Sequence, residues 1–320
     1  MFIKKQKNMF QLYKKRDFSA LVGDTFGFFK LEGKNYFKNY FTINGGLLLL
    51  LVVIIYFFSN IFIKGAFAGA QTGNDNAFIE EIYSNLSLFI GFGIGMILLM
   101  TIISVINYSF PIAYLKLIEE NKERNFQNLI TYFKSKLGRI ISFYLLSLII
   151  LIPLLVIVIG ITILSVFILI GIPLIFLLIP TLTSFVALTY YNYITEKIGY
   201  FDALGRAYEM LKSKFWPIIG STFVIHMIVQ ITLGIFAIIP YIIGIITLFT
   251  NPESLQQNPE NAISFVMILL TAIIIISIIC NYTLQNIILI NQGVIFYSCK
   301  EESGNISVKN NIDLIGTDEA

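Results

Sequence analysis

Long apolar runs alternate with short charged segments along this chain. The first run covers residues 43–63 and lies between Lys38 and Lys64, and the second covers residues 86–115. A helix needs about 20 mostly apolar residues to cross a bilayer. Each of these two runs therefore predicts one membrane-spanning helix.

The stretch from Ile140 to Thr195 contains no charged residue and is too long for one span. Its 56 residues would form a helix of about 84 Å, whereas the hydrocarbon core is about 30 Å thick. We predict a hairpin of two spans, 140–168 and 173–195. Glycine favours a helix end and proline a first helical turn, so the turn is expected at Gly171-Ile172-Pro173, with Gly160 as the alternative break.

Two further apolar runs predict spans at 216–240 and 262–292. The segment between them, Asn251 to Glu260, has two prolines and no apolar periodicity, which is typical of a turn region. Because Phe215 to Thr250 is uncharged, the fifth span could instead end near Phe249. The predicted fold is an all-α, polytopic transmembrane bundle of six spans.

The composition supports the same class of protein. The chain has 320 residues, 57% of them hydrophobic and only 13% charged, whereas soluble domains carry about 25% charged residues. The mean hydropathy is +0.80. These values exclude an ordinary soluble domain and a disordered chain. We divide the sequence into a basic segment (1–42), a membrane domain (43–299) and a polar tail (300–320).

The basic residues predict how the chain is threaded. Of the 22 Lys and Arg residues, 21 fall in segments on one side of the predicted membrane, and Lys64 alone falls on the other. The positive-inside rule then places both termini in the cytoplasm, and we expect a multi-pass protein of the bacterial cytoplasmic (inner) membrane. We expect no cleavable signal peptide, since the first forty residues lack an apolar stretch ending in a small-residue cleavage site.

Each segment on the predicted cytoplasmic side that precedes a pair of spans contains the pattern Phe-x-x-Leu. The three copies begin at Phe18, Phe126 and Phe201. In the third copy, Leu204, Tyr208 and Leu211 continue the apolar face that begins at Phe201. Apolar residues recur there at spacings of three and four with Lys or Arg between them, which indicates amphipathic interfacial helices on the cytoplasmic face. Two interpretations remain open: a threefold repeat of interfacial helix, span, span, or three unrelated connectors.

The segment from Ile194 to Trp216 resembles the cytoplasmic segment of a group of bacterial six-span proteins of unknown function. That group includes the membrane domain attached to some glycerophosphoryl diester phosphodiesterases. The shared pattern is an acidic residue, Ala-Leu-x-Arg, a Leu and Phe-Trp. Here it is formed by Glu196, Ala203, Leu204, Arg206, Leu211, Phe215 and Trp216. Ala207 replaces the serine common in that group. The resemblance implies a membrane fold without the catalytic domain, so it carries over no phosphodiesterase activity.

Three residues of this segment form a candidate interfacial motif. Glu196 and Arg206 are ten positions apart across a predicted turn, which predicts an ion pair between them. Trp216 is the only tryptophan and begins a predicted span, where an indole favours the head-group layer. A structural role is the simpler interpretation of all three residues.

The predicted spans contain no charged residue, which argues against an ion-coupled transporter built on intramembrane carboxylates. Polar residues remain on the fifth and sixth spans, where they share helix faces. His226 and Gln230 are four positions apart, as are Asn281 and Gln285. We consider two interpretations: a polar face that binds a small molecule or a lipid head group, and hydrogen bonding between helices.

The sequence offers little chemistry for a reaction. One histidine and two cysteines 19 positions apart do not make a usual metal site, so we predict no catalytic, metal or cofactor residues. The first functional hypothesis is a non-enzymatic membrane protein for lipid interaction, membrane organisation or assembly with a partner. Its expected partners are anionic lipid head groups at the cytoplasmic face, with a protein partner or a homo-oligomer left open and nucleic acid excluded. The alternative is a permease through the polar faces of spans five and six.

Overall fold

A computed structural model describes residues 10–72, 75–166, 171–250 and 259–306. Over these residues the chain is 92% helical and has no strand, so the all-α prediction is confirmed. The helices, in chain order, are α1 (Phe18–Thr72), α2 (Asp75–Ser84), α3 (Leu86–Glu119), α4 (Phe126–Leu146), α5 (Ile152–Val166), α6 (Gly171–Thr195), α7 (Tyr200–Ser213), α8 (Phe215–Thr250) and α9 (Pro259–Gly304). A π-helical turn, Ser147–Leu151, joins α4 to α5.

Five helices in the described part of the chain are long and apolar enough to cross a membrane. They lie in α1, α3, α4 together with α5, α8 and α9. Five long apolar helices are compatible with a multi-pass membrane protein. Helix α6 is not among them; its second half carries the buried polar residues Thr189 and Asn192. The sixth span therefore stays a prediction.

The structure corrects the prediction of three separate interfacial helices. Helix α1 runs for 55 residues without a break, about 82 Å at the usual rise, because no proline interrupts it. Asp17 caps its start by accepting a hydrogen bond from the backbone N–H of Ala20, at 2.8 Å. Asn125 caps α4 in the same way, and α4 continues through the π-helical turn into α5. The proposed boundaries after residues 42 and 299 fall inside α1 and α9.

Only the third amphipathic segment forms a helix of its own, α7. It starts at Tyr200, after the N-cap residue Gly199, whose N–H donates to Asp202, and it ends before Lys214, which has a non-helical φ of −139° and ψ of 46°. Pro217 explains this break, since a proline inside a helix clashes with the carbonyl four residues earlier, here that of Ser213. In the first turn of α8 the same proline is tolerated.

Other prolines lie within helices and do not end them. Pro111, Pro180 and Pro240 are inside α3, α6 and α8. The helix of the fifth predicted span therefore does not end at Pro240 but runs to Thr250, close to the alternative end near Phe249. Pro153 lies two residues after the π-helical turn, at whose end the N–H of Ile152 donates five residues back to Ser147; prolines and π-helical turns are both known causes of helix distortion.

Helix α5 extends to Val166 and helix α6 begins at Gly171, and residues 167–170 lie outside the described part of the chain. Gly171, Ile172 and Pro173, where the turn is predicted, are the first three residues of α6. The alternative break at Gly160 is wrong, because Gly160 lies within α5. The predicted turn at Asn251 to Glu260 lies almost wholly outside the described residues.

The chain divides into two compact units. Unit A comprises Met1–Tyr40, Tyr108–Val229 and Asn286–Ala320, and unit B comprises Phe41–Asn107 and Gln230–Gln285. Helices α1, α3, α8 and α9 each contribute residues to both.

Unit A has an aromatic core that also contains polar groups. Tyr36 is fully buried, and its ring lies 4.9 Å from that of Phe110 and 5.0 Å from that of Tyr114. Its hydroxyl donates to Asn286 at 2.6 Å. Because buried polar groups are costly unless they are paired, such bonds fix how the helices meet.

Further hydrogen bonds connect the helices of unit A near α9. Asn291 donates to Thr25 of α1, and Gln292 donates to Thr222 of α8, both at 3.0 Å. Thr222 is also bonded to Ser184 of α6 at 2.9 Å. This chain of contacts joins four helices through side chains that a purely apolar bundle would not contain.

Unit B is packed by apolar and aromatic side chains. Phe57 stacks on Phe92, and Phe58 stacks on Phe89, so that α1 is held against α3. Many large apolar side chains of the unit point outward, among them Leu49, Val53, Ile94, Ile97, Leu98, Ile238 and Ile242. Soluble monomers rarely expose continuous apolar patches of this kind, and a lipid-facing surface requires them.

Candidate functional site

The predicted intramembrane polar face is divided between the two units. His226 belongs to unit A, and its Nδ1 lies 3.0 Å from the carbonyl oxygen of Thr222 on its own helix. Gln230 and Asn281, in unit B, are exposed. Gln285 accepts a hydrogen bond from Asn107 at 2.8 Å.

The contacts of α3 with α9 have the form of hydrogen bonds between helices. Besides the bond from Asn107 to Gln285, Ser104 and Tyr282 are 3.4 Å apart. In membrane proteins such bonds contribute about 0.6 kcal/mol each on average. The two cavities described below are lined by other residues, so they give the permease hypothesis no support.

A cavity of about 410 Å³ in unit A contains two of the three residues of the predicted interfacial motif. Three parts of the chain form its walls: the end of α6 with Glu196, one face of α7, and the last turns of α9. Its lining residues are Asn192, Glu196, Arg206, Glu209, Met210, Ser213, Cys299, Lys300 and Ser303. Its volume lies within the usual range of about 300–1,000 Å³ for small-molecule sites.

Helix α7 presents different residues on each of its sides, which follows from its rotation of about 100° per residue. One side is buried against unit A and consists of Tyr200, Ala203, Ala207 and Leu211. A second side lines the cavity and carries the polar residues Arg206, Glu209 and Ser213 together with Met210. The small alanines let the backbone of α7 approach its neighbours closely.

The third side of α7 is aromatic and open. Phe201 is 69% exposed and Tyr208 is 60% exposed. Trp216, at the start of α8, is 68% exposed. The predicted apolar face grouped Phe201, Leu204, Tyr208 and Leu211 together. The structure corrects that grouping, because Leu211 is buried on the alanine side whereas Phe201 and Tyr208 are not.

The ion pair in the cavity also differs from the predicted one. Glu196 pairs with Lys300 of α9, with Nζ and Oε1 2.6 Å apart, and the structure records no ion pair between Glu196 and Arg206. Lys300 also lies 5.4 Å from the centre of the Phe296 ring. The sequence could not indicate this partner, which follows Glu196 by 104 positions.

The uncharged polar side chains of the cavity donate their N–H and O–H groups to other protein atoms, and their oxygen atoms can still accept hydrogen bonds. Asn192 is 1% exposed, and its amide nitrogen donates to the carbonyl of Leu188 and to the sulfur of Met210. The hydroxyl of Ser213 donates to the carbonyl of Met210, and that of Ser303 donates to the carbonyl of Lys300. Each side chain therefore keeps an oxygen lone pair to offer.

A buried arginine holds the segment before α1 in place. The side chain of Arg16 is fully buried; its Nε donates to Asp24 at 2.7 Å and its other nitrogens donate to three backbone carbonyls of residues 11–14. Burial lowers the pKa of Arg16, and the bond to Asp24 acts in the opposite direction. A shallow cavity beside it is lined by Lys15, Lys214 and Pro217, among others.

Among the described residues, no three His, Cys, Asp or Glu side chains come close enough together to hold a metal ion. The chain matches no family model, no curated protein and no solved structure. Function is therefore argued from the geometry of unit A alone.

Proposed function

We propose that this chain is a non-enzymatic, multi-pass protein of the bacterial cytoplasmic membrane that binds anionic lipid at the cytoplasmic surface through α7 and Trp216. In this proposal α6 is the sixth span and both termini are cytoplasmic. The observation that carries it is the open aromatic side of α7, which lies outside the five long apolar helices.

Large exposed aromatic rings suit the boundary between water and lipid. Phe201 and Tyr208 are seven positions apart, so they project from α7 within about 20° of each other. Trp216 follows directly after the break at Lys214. Amphipathic helices that lie on membranes bury such rings in the head-group layer, where tryptophan and tyrosine are enriched.

Basic side chains accompany this aromatic side. Lys212 projects within about 20° of Phe201 on the helical wheel, and Lys197 precedes α7; both are exposed. Each Lys or Arg near an anionic leaflet contributes about 1 kcal/mol to membrane attraction. Aromatic rings and lysines together favour an anionic surface over a neutral one.

The single tryptophan provides the experiment. The chain is reconstituted into nanodiscs containing brominated phosphatidylglycerol or brominated phosphatidylcholine, and quenching of Trp216 fluorescence is measured. We expect quenching by both lipids and stronger quenching by the anionic one. The double variant Lys197→Glu, Lys212→Glu should remove the difference, whereas Lys134→Glu on α4 is the matched control and should retain it.

Two results would contradict the proposal. If neither lipid quenches Trp216, the aromatic side faces water or a protein partner and not the bilayer. If both lipids quench equally in the wild-type chain, the aromatic side contacts lipid without selecting its charge.

A further inference from the structure

Two charges of opposite sign line the 410 Å³ cavity without a recorded ion pair. Arg206 and Glu209 are exposed and three positions apart on α7. Side chains at this spacing share a helix face, with their Cβ atoms about 5–6 Å apart. Within the part of the chain that the structure describes, neither residue has a salt-bridge partner, whereas Glu196 and Lys300 neutralise each other in the same cavity.

The rest of the cavity offers acceptors. The amide oxygen of Asn192 has no recorded donor, although this residue is 99% buried and lines the cavity. The hydroxyls of Ser213 and Ser303 have their protons bound to backbone carbonyls. A ligand that fits this lining has to bring several N–H donors, which a primary ammonium group does.

We propose that this cavity binds a ligand in which a primary ammonium group lies close to an anionic group, as in phosphoethanolamine. The ammonium group is held by Glu209, by the amide oxygen of Asn192 and by the serine hydroxyls. The phosphate or carboxylate is held by Arg206, whose guanidinium can bind two oxygens at once. A quaternary ammonium group has no N–H to donate and leaves these acceptors unpaired.

Two kinds of ligand carry an ammonium group close to an anionic group: a lipid, in its head group, and a water-soluble molecule. The lipid source rests on the proposed function, because it requires α7 to lie at the membrane surface. The soluble source does not. The cavity uses the polar side of α7 and the proposed function uses the aromatic side, so the two can be tested separately.

The first experiment is calorimetric titration of the full chain in detergent micelles with phosphoethanolamine, phosphocholine and inorganic phosphate. We expect phosphoethanolamine to bind and the other two to bind at least about tenfold more weakly, since a hydrogen bond to a charged group is worth that factor or more. Arg206→Gln and Glu209→Gln should each lower the affinity for phosphoethanolamine by about tenfold. Lys134→Gln, an exposed change on α4 that does not line the cavity, should leave it unchanged.

The second experiment identifies the source. Native mass spectrometry is applied to the chain released from nanodiscs of mixed phosphatidylethanolamine and phosphatidylcholine. Retention of the ethanolamine lipid, lost in Glu209→Gln, supports a lipid head group; binding of soluble phosphoethanolamine without lipid retention supports a water-soluble ligand.

The proposal is overturned by any of three results: equal binding of phosphoethanolamine and phosphocholine, an unchanged affinity in Glu209→Gln, or no binding of either the soluble or the lipid form. Arg206 and Glu209 are exposed, so their variants are expected to fold. Failure of Trp216 quenching would remove the proposed function and leave the titration in detergent unaffected.

Discussion

Gly293 is the position where a single added methyl group should be most informative. It lies on α9 and faces Leu115 of α3 and Tyr191 of α6, both of which are buried. A Cβ at this position would lie 2.5 Å from the hydroxyl oxygen of Tyr191 and closer still to Cδ1 of Leu115. Neither side chain can move freely, and the Tyr191 hydroxyl donates to the carbonyl of Leu289 at 3.3 Å.

The size of the effect is set by two opposing terms. Forcing a methylene or methyl group into a packed core costs about 1–3 kcal/mol, whereas alanine is favoured over glycine in a helix by about 1 kcal/mol. Both contacts are far shorter than van der Waals distance, so the upper end of the first range applies, and we expect Gly293→Ala to lower the free energy of unfolding by about 2 kcal/mol. For a chain of 320 residues that corresponds to a fall in Tm of roughly 3 °C.

The assay is thermal unfolding of the purified chain in detergent, with Gly205→Ala as the matched control. A Cβ at Gly205 of α7 meets nothing within 4 Å, so this variant should be as stable as the wild type or slightly more stable. Gly293→Ala should also cost less in a Leu115→Ala background, because that change vacates the space. If Gly293→Ala alone unfolds at or above the wild-type Tm, the close approach of α9 to α3 and α6 is refuted.

Three further predictions follow from other contacts. Arg16→Met should destabilise the chain by about 2–4 kcal/mol, since it removes the buried partner of a carboxylate and of three backbone carbonyls. Lys15→Met, an exposed change, should alter the free energy of unfolding by no more than about 0.5 kcal/mol. Unfolding in detergent measures both variants. A double-mutant cycle on Asn107 and Gln285, each changed to Ala, should give a coupling of about 0.6 kcal/mol, and zero coupling would contradict the bond. Reporter fusions at the two termini should both report a cytoplasmic location; a periplasmic C-terminus would contradict six spans.

In the third copy of the pattern Phe-x-x-Leu, the helix starts at a different position relative to the Phe than in the first two copies. In α1 and α4 the first helical residue is the Phe of Phe-x-x-Leu, and the buried Leu21 and Leu129 follow three positions later. In α7 the first helical residue is Tyr200, so the buried equivalent is Ala203 and not Leu204. The first helical residue decides which side chain is buried three positions later. The pattern of apolar residues alone placed that first residue at Phe201, one position too late.

The candidate site was only partly predictable for a similar reason. Glu196, Arg206 and Trp216 stood out because they are close together in sequence around a predicted turn. Asn192 and Lys300 did not, because a buried asparagine inside an apolar run and a lysine in a C-terminal tail carry no local signal. Their position in the cavity depends on α9 packing beside α6 and α7.

Sequence patterns alone predicted the all-α fold and the long apolar helices, and they predicted the separation of α7 from α8 at the Phe215-Trp216 boundary. These depend on local quantities: the length of each apolar run against the thickness of a bilayer, and the position of glycine and proline. The tertiary structure decided which side of α7 is buried and which cation pairs with Glu196. A helix such as α7 has apolar residues on two sides, and only the packing of its small alanines against neighbouring helices selects one side for burial and leaves the aromatic side open.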